Sequence, residues 1–428
     1  MSFQAFLSGG LALRVFLCFA AGYLLSYAFR AINAVIAPAL QADLHLSNAD
    51  LGWLSSAYFV SFAALQLPLG IWLDKYGARK TETALLMLAA AGAAIFAMGT
   101  SLTELWIGRA LIGAGVSACL MAPFKAFRQW YAPQRQSQLA SWMLVAGTSG
   151  ALAATIPVAA AMTVVGWRGV FWIMAGLILL SAAAIFFLVG PVEAKAAAMQ
   201  PPGPVAPRAN AIAAAGGYGD VFGDPYFRRL ALIGAVCQGS FIALQTLWAG
   251  PWMVTVLGMT KNQTSQILFA FNFCMMLCYL GLSWWAPRHV SHDGKHGWPV
   301  LQVVGFGLFG SLVTQAAILM IAAPWAWTLW IVLALFNTVM MLCQTQISLS
   351  FPVALSGRAS SAYNLVVFIG AFAVQWGIGV LIDIFEARGA SPSDAMRAGF
   401  ALCLALQTAA FAMFALNRTQ LQPGASGH

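Results

Sequence analysis

Long runs of apolar residues recur along the whole chain, and short polar segments separate them. The hydrocarbon layer of a bilayer is about 30 Å thick, and a helix of about 20 apolar residues crosses it. The runs therefore predict transmembrane helices in an all-α membrane protein. We expect twelve of them, over residues 12–38, 51–70, 81–100, 103–125, 137–163, 168–190, 229–256, 264–285, 298–322, 325–350, 361–383 and 395–417.

The longest polar interval divides these predicted helices into two groups of six. Its segment PVEAKAAAMQPPGPVAPRAN is rich in Ala, Pro and Gly, which is typical of a flexible linker. The stretch GDVFGDPYFRRL that ends it predicts a short amphipathic helix on the membrane surface. We therefore expect an N-terminal six-helix bundle (1–190), a cytoplasmic linker (191–228) and a C-terminal six-helix bundle (229–428).

The composition agrees with a membrane protein and excludes several other classes. Charged residues make up 8% of the 428 residues, against roughly 25% in soluble domains. The net charge of +9 comes from basic residues in the loops, so we expect no nucleic-acid partner. All seven cysteines lie in apolar runs, which gives no sign of a disulfide framework.

The distribution of basic residues predicts the orientation of the chain. With an internal N-terminus, the outer side carries only Arg168, Lys261, Arg388 and Arg397, and the other loop Lys and Arg residues lie inside. The positive-inside rule then places both termini and the linker in the cytoplasm. We expect a multi-pass, monomeric protein of a cell inner membrane.

The segment GIWLDKYGARK, residues 70–80, concentrates charge between two apolar runs. It resembles the loop between spans two and three of the major facilitator superfamily, and this resemblance covers the full length of the chain. It implies secondary transport by alternating access, with a gate that holds the outward-facing state. A positive-inside anchor would explain the basic residues alone. The matching gate residues are Gly70, Asp74, Lys75, Gly77, Arg79 and Lys80.

A second motif supports the same resemblance in span four. Arg109, which we count with the gating residues, is followed by Gly113 and Gly115, and this Gly-x-Gly pair implies close packing of the helix. In contrast, span five has Pro157 but lacks the Gly-Pro pair of drug–proton antiporters. The resemblance therefore favours an organic-anion facilitator over a drug antiporter.

Arg30 is the candidate for substrate recognition. An Arg on a lipid face at mid-membrane costs at least about 2.5–3.5 kcal/mol, so we expect it to face a wet cavity or a partner. Tyr23, Tyr27, Arg30 and Asn33 share one helical face. A guanidinium group offers paired donors to a carboxylate or phosphate, and the resemblance implies that span one lines the central cavity. The alternative is that Arg30 snorkels or pairs with a carboxylate.

Carboxylates are predicted only near span ends, at Glu82, Glu104 and Asp383. Proton relays in membranes usually use Asp, Glu or His side chains, and none of the five histidines lies in a predicted span. Proton symport, exchange and facilitated diffusion therefore remain open.

Polar and aromatic side chains in the other apolar runs are further candidates for the substrate site. Each could instead form an interhelical hydrogen bond. These residues are Tyr58, Gln245, Trp248, Asn272 and Gln344.

A repeated pattern in the second half offers a different function. FNFCMMLC (271–278) and FNTVMMLC (336–343) match at six of eight positions. Thiol and thioether groups suit Cu(I), although Met and Cys also pack irregular helix interfaces. The candidate ligands are Cys274, Cys278, Met340 and Cys343.

The expected function is thus secondary active or facilitative transport of a small anionic solute, with no cofactor and with the lipid bilayer as environment. A copper or drug transporter of the same fold is the alternative, and a non-transporting receptor or sensor is a third. No nucleophile–base pair occurs in the loops, so we do not expect an enzyme.

Overall fold

The computed structural model describes residues 9–131, 136–199, 217–291, 297–351 and 353–416, almost entirely as helices. Nine helices within these ranges are long and apolar enough to cross a membrane. The chain is therefore an all-α, multi-pass membrane protein.

The chain divides into two compact units. The first consists of Met1–Leu46 and Ala57–Pro204, and the second of Ser47–Ser56 and Val205–His428. The interior of the predicted linker, residues 200–216, lies outside the described residues.

Long helices form the first unit, and two of them bend at glycines. Gly77 (φ 80°) and Gly166 (φ 65°) have left-handed backbone conformations that glycine adopts without strain. Both breaks fall in predicted loops. The helices are α1 (Gly9–Ala31), α2 (Asn33–Leu44), α3 (Asn48–Met98, beginning in the second unit), α4 (Leu102–Gly115), α5 (Met121–Trp130), α6 (Gln136–Ala153) and α7 (Ile156–Met199).

Two predicted spans are interrupted rather than continuous. Turn residues 116–120 separate α4 from α5 inside predicted span four, and residues 154–155 separate α6 from α7 inside predicted span five. These breaks leave helices of 18 residues or fewer on at least one side. That shortening is one reason why the described chain has fewer unbroken spans than the sequence predicts.

The second unit is built from the remaining helices, with two turns of π-helix in its first span. Its helices are α8 (Tyr218–Gly223), α9 (Pro225–Ile233), α10 (Gly239–Ala243), α11 (Ala249–Thr255), α12 (Lys261–His289), α13 (Val300–Met320), α14 (Thr328–Asn337), α15 (Met341–Ser350), α16 (Val353–Ala387) and α17 (Pro392–Leu416). The π-helical turns are Gly234–Gln238 and Leu244–Trp248, a 3₁₀ turn is Thr338–Met340, and Val290–Ser291 (β1) pairs in parallel with Trp298–Pro299 (β2).

The predicted surface helix is only partly correct. α8 is a separate short helix, but α9 continues through the first π-helical turn into a single candidate span, Pro225–Thr255. The reason is a helix cap: the carboxylate of Asp224 accepts a hydrogen bond from the N–H of Phe227 at 2.7 Å. This cap starts the membrane span three residues before the end of the predicted linker.

Asp383 caps a second helix within the second unit. Its carboxylate oxygens accept hydrogen bonds from the N–H groups of Asn48 (3.0 Å) and Ala49 (2.7 Å) at the start of α3. The helices approach closely at this point, since a Cβ on Gly379 would lie 2.3 Å from the Asn48 carbonyl oxygen. The carboxylate therefore meets both unpaired N–H groups and the positive end of the helix dipole.

Glycines of α4 bring it into backbone contact with α3 on both sides of the Gly77 turn. A Cβ on Gly113 would lie 2.2 Å from the carbonyl oxygen of Tyr58 in α3, and one on Gly115 would lie 2.3 Å from the N atom of Ala89. This is the close packing that the Gly-x-Gly motif predicts.

We expect Gly113→Ala to destabilise the protein, because its methyl group would force α3 and α4 apart; overpacking of this kind costs about 1–3 kcal/mol. Thermal unfolding in detergent micelles would show a lower midpoint. Gly176→Ala is the matched control, since a Cβ there meets no atom within 4 Å, and we expect it to unfold like the wild type. Equal midpoints for the two variants would contradict this account of α4.

Candidate functional site

Arg30 lies among aromatic rings of the first unit. Its guanidinium carbon is 4.6 Å from the ring centroid of Tyr27, 5.4 Å from that of Phe62 and 5.8 Å from that of Tyr58. Cation–π attraction of this kind strengthens where water is excluded. The rings therefore supply much of the environment that a buried cation needs. Tyr27 and Tyr58 were predicted, and Phe62, one helical turn after Tyr58, was not.

Arg109 brings a second guanidinium group to the same place. Its guanidinium carbon is 5.6 Å from the Tyr58 centroid and 5.9 Å from that of Phe96. Its Nη1 donates a hydrogen bond to the Phe29 carbonyl oxygen at 3.0 Å. The break between α1 and α2 explains this partner, because carbonyl groups at a helix end lack intrahelical donors. The sequence placed Arg109 in the gating motif, whereas the structure places it beside the predicted anion site.

The remaining predicted residues of this face differ in exposure. Tyr27 and Arg30 are half-buried, whereas Asn33 is 4% and Tyr58 0% exposed. The Tyr58 hydroxyl donates to the Ser26 carbonyl oxygen at 3.1 Å. Tyr27 and Arg30 are thus the two predicted residues of the first unit that retain exposed surface, while the ring of buried Tyr58 lies near both guanidinium groups.

In the second unit, three of the predicted residues are engaged with one another or with the backbone. Gln245 Nε2 donates to Asn272 Oδ1 at 3.0 Å, and Asn272 Nδ2 donates to the Leu268 carbonyl oxygen at 2.8 Å. Trp248 is fully buried, and its indole N–H donates to the carbonyl oxygen of Gln375 at 3.1 Å. Trp248 packs in the interior of the second unit in this conformation, and a substrate contact for it stays a prediction. Gln344 is half-buried.

A buried amide network in the second unit was not foreseen. The side chains of Gln315 and Gln407 exchange two hydrogen bonds, at 3.0 and 2.8 Å. Asn337 Nδ2 donates to Ser311 Oγ at 2.8 Å. Isolated Gln and Asn residues in apolar runs were the available signal for this network.

The 70–80 segment is joined to the end of α7 within the first unit. Arg79 Nε lies 2.5 Å from Glu193 Oε2, in an ion pair whose two side chains are 16% and 28% exposed. Arg79 Nη1 also donates to the Phe186 carbonyl oxygen at 3.3 Å. A Cβ on Gly77 would lie 2.8 Å from Glu193 Oε1. Gly77 thus provides both the turn and the space for the ion pair, and Glu193 is a partner that the motif does not contain.

The other predicted gate residues have different surroundings. Lys80 is exposed, and Lys75 Nζ lies 5.1 Å from the ring centroid of Tyr76. A Cβ on Gly70 would meet no atom of the described residues within 4 Å. The side chain of Asp74 lies outside the described residues.

The proposed soft-metal ligands do not form a recognisable site. Cys274 and Cys278 are half-buried, and Cys343 and Met340 are buried. Within the described ranges, no group of three or more His, Cys, Asp or Glu side chains could hold a metal ion. The copper alternative therefore gains no support.

Glu82 lies near the beginning of the candidate span Lys75–Met98. It lies in the part of α3 that follows Gly77, and its side chain is fully buried. Neither carboxyl oxygen has a hydrogen-bond partner among the described residues. A position near a span end therefore does not leave this carboxyl group exposed. Glu82 is five residues after the Gly77 turn, and Gly22 of α1 lies against its carboxyl group.

These features define a polytopic membrane protein built like a transporter, with buried cationic groups in its first unit. Residues 19–375 match the Major Facilitator Superfamily, and the chain belongs to that family. The resemblance identified in the sequence is thereby confirmed.

Among curated proteins, the chain is similar to two bacterial sugar-acid transporters. It is 28% identical over 179 residues to the galacturonate transporter of Dickeya chrysanthemi, covering 41% of this chain and 51% of the relative. It is 28% identical over 160 residues to the hexuronate transporter of Escherichia coli K12, covering 36% of each. The chain thus matches about half the length of the first relative and about a third of the second.

Among solved structures, the fold resembles a bacterial homolog of the human lysosomal transporter Spinster, crystallised in an inward-facing and unoccupied conformation. The TM-score is 0.74 at 16% identity, over 96% of this chain and 97% of that one. This likeness shows the fold.

We expect the pair Arg79–Glu193 to behave as one unit when it is mutated. Arg79→Ala and Glu193→Ala should each lower the thermal midpoint in detergent. The midpoint of the double variant should be no lower than that of the less stable single variant. The coupling energy of such a partly buried pair should be at most about 1 kcal/mol. Lys80→Ala, at an exposed position, is the control. Fully additive losses would show that the two side chains do not stabilise each other.

Proposed function

We propose that the protein transports a small organic anion, a hexuronate-type sugar acid, across the membrane by alternating access. The observation that carries this proposal is the pair of guanidinium groups, Arg30 and Arg109, that face the ring of Tyr58. Two cations beside one ring give this part of the first unit a positive potential. The family and the names of the two sugar-acid transporters support the same substrate class.

The roles of the two arginines differ within this proposal. Arg30 is half-buried and presents its charge to a ligand, whereas Arg109 is 1% exposed and donates to the Phe29 carbonyl oxygen. A carboxylate at Arg30 would accept charge-assisted hydrogen bonds, and Tyr27 would offer a ring and a hydroxyl group beside it. Arg109 would add long-range attraction without direct contact.

The remaining parts of the proposal follow from the sequence. Twelve spans in two six-helix bundles (1–190 and 229–428) would place both termini in the cytoplasm of a cell with an inner membrane. The protein would act as a monomer, and the 70–80 segment would serve as a gate. The amide groups of Gln245 and Asn272 would form hydrogen bonds with sugar hydroxyls only after the hydrogen bond between the two amides breaks.

Uptake of radiolabelled galacturonate into proteoliposomes tests the substrate class. Charge-assisted hydrogen bonds contribute roughly 1.5–3 kcal/mol, so we expect Arg30→Ala to weaken apparent affinity at least about tenfold. Arg30→Lys should restore only part of it, because an ammonium group lacks the planar fork of donors. Neutral galactose should not compete for uptake.

Arg388→Ala is the matched control, because Arg388 is an exposed arginine, and we expect wild-type uptake from it. Unchanged affinity in Arg30→Ala, or equal competition by a neutral sugar, would sink the anion proposal.

The proposed orientation can be tested with two single substitutions. Lys195→Cys should react with a membrane-impermeant maleimide only after the cells are permeabilised, since residue 195 lies in a predicted cytoplasmic segment. Lys261→Cys, in a predicted outer loop, should react in intact cells, and the unsubstituted protein gives the background of its native cysteines. The opposite pattern would invert the topology.

A further inference from the structure

The end of α12 presents an aromatic and basic surface that the proposed transport does not use. Trp284 is 64% exposed, and Arg288, one helical turn later, is exposed as well. The candidate span Lys261–Ala286 ends between these two residues. Both therefore lie at the edge of the apolar layer, a level at which tryptophan is common because its ring combines an apolar body with a polar N–H group.

Two contacts with Trp284 orient the guanidinium group of Arg288. The guanidinium carbon lies 4.6 Å from the Trp284 ring centroid, and Nη1 donates a hydrogen bond to the Trp284 carbonyl oxygen. Among the described residues, Arg288 forms no ion pair with a carboxylate. A planar guanidinium group has five donors, so most of them are left for a partner from outside the chain.

A second arginine stacked on tryptophan shows which kind of group completes this arrangement. The guanidinium carbon of Arg168 lies 4.1 Å from the Trp167 ring. There the carboxylate of Asp43 accepts hydrogen bonds from Arg168 Nη1 and from the indole N–H of Trp167. The first unit therefore supplies its own anion to an arginine–tryptophan pair. The pair Arg288–Trp284 of the second unit has the same two groups without such a carboxylate.

The short β-pair brings another exposed indole to the same end of α12. Trp298 pairs with Val290, two residues after Arg288, and is 63% exposed. A close backbone approach allows this pairing, since a Cβ on Gly297 would lie 2.5 Å from the His289 carbonyl oxygen. The φ of Gly297, 101°, is one that glycine adopts without strain. The described residues thus leave two large indole rings mostly uncovered at the edge of one span.

We propose that Arg288 and Trp284 bind the headgroup phosphate of an anionic phospholipid. The planar fork of Arg288 offers paired donors to phosphate oxygens, and stacking on Trp284 holds the fork in place. The predicted topology puts this end of α12 on the cytoplasmic side, where anionic lipids attract basic residues next to a span. The exposed rings of Trp284 and Trp298 favour a lipid over a soluble phosphate, because the bilayer would cover them. This site does not depend on which solute is transported.

Native mass spectrometry of the full-length protein in detergent tests the site, with dioleoylphosphatidylglycerol as the anionic probe and dioleoylphosphatidylcholine as the zwitterionic one. We expect Arg288→Gln to weaken binding of the first phosphatidylglycerol about tenfold, the effect of losing charge-assisted hydrogen bonds, and to leave phosphatidylcholine binding unchanged. Arg288→Lys should restore only part of the loss, because an ammonium group lacks the fork. Trp284→Leu should also weaken phosphatidylglycerol binding, because it removes the stacking ring.

Arg228→Gln is the matched control, since Arg228 is an exposed arginine of α9 on the same predicted side. It removes the same charge, and we expect it to change the affinity for phosphatidylglycerol less than about twofold. Equal losses in Arg288→Gln and Arg228→Gln, or wild-type affinity in Arg288→Lys, would show attraction by surface charge alone and overturn the proposal.

A competition experiment separates the lipid from a soluble phosphate. Glycerol 3-phosphate carries the same phosphate group without acyl chains, and we expect it not to displace phosphatidylglycerol at equal concentration. Equal competition by glycerol 3-phosphate would assign the site to a soluble ligand and overturn the lipid assignment.

Discussion

The arrangement of the first unit depends on the free-energy cost of moving guanidinium groups from water into an apolar helix bundle. A charged side chain away from water is tolerated only where dipoles or rings replace its hydration. Arg109 donates a hydrogen bond to the Phe29 carbonyl oxygen and lies near the faces of two aromatic rings. Arg30 lies near three rings. The break between α1 and α2 at Ile32 is part of the same solution, because a continuous helix would leave no carbonyl group for Arg109.

Close backbone contact is what holds this arrangement together. Gly113 allows α4 to approach the Tyr58 carbonyl oxygen, and Gly115 allows it to approach Ala89. A larger side chain at either position would push α4 away from α3. The guanidinium group of Arg109 would then lie farther from the Tyr58 ring. Helix packing in membranes has little hydrophobic driving force, so small residues at the interface decide how near two helices come. The glycine motif therefore determines electrostatics as well as packing.

The apolar runs were sufficient to predict an all-α membrane protein, and two glycine turns, at Gly77 and Gly166, fell where the loops were expected. Span interruptions such as 116–120 were not predictable, because apolar residues continue through them and the break depends on tertiary contacts. The burial of Glu82 was not predictable for a related reason. Its distance from the span end is visible in the sequence, but the helices that cover it come from distant parts of the chain. The role of Trp248 could not be read from the sequence either, because an aromatic residue in a span can pack against other helices or line a cavity.

The two units solve the problem of buried polarity in different ways. The first keeps ionisable groups, with Arg109 and Glu82 fully buried and Arg30 half-buried. The second relies on neutral amides, which pair reciprocally in Gln315 and Gln407 and across helices in Gln245 and Asn272. Amide pairs satisfy one another without any ligand, whereas a buried cation and a buried acid each gain from the arrival of an opposite charge or a proton. Among the described residues, the fully buried Arg and Glu side chains therefore lie in the first unit, and the proposed binding of an anion would draw on that unit rather than on the amide pairs of the second.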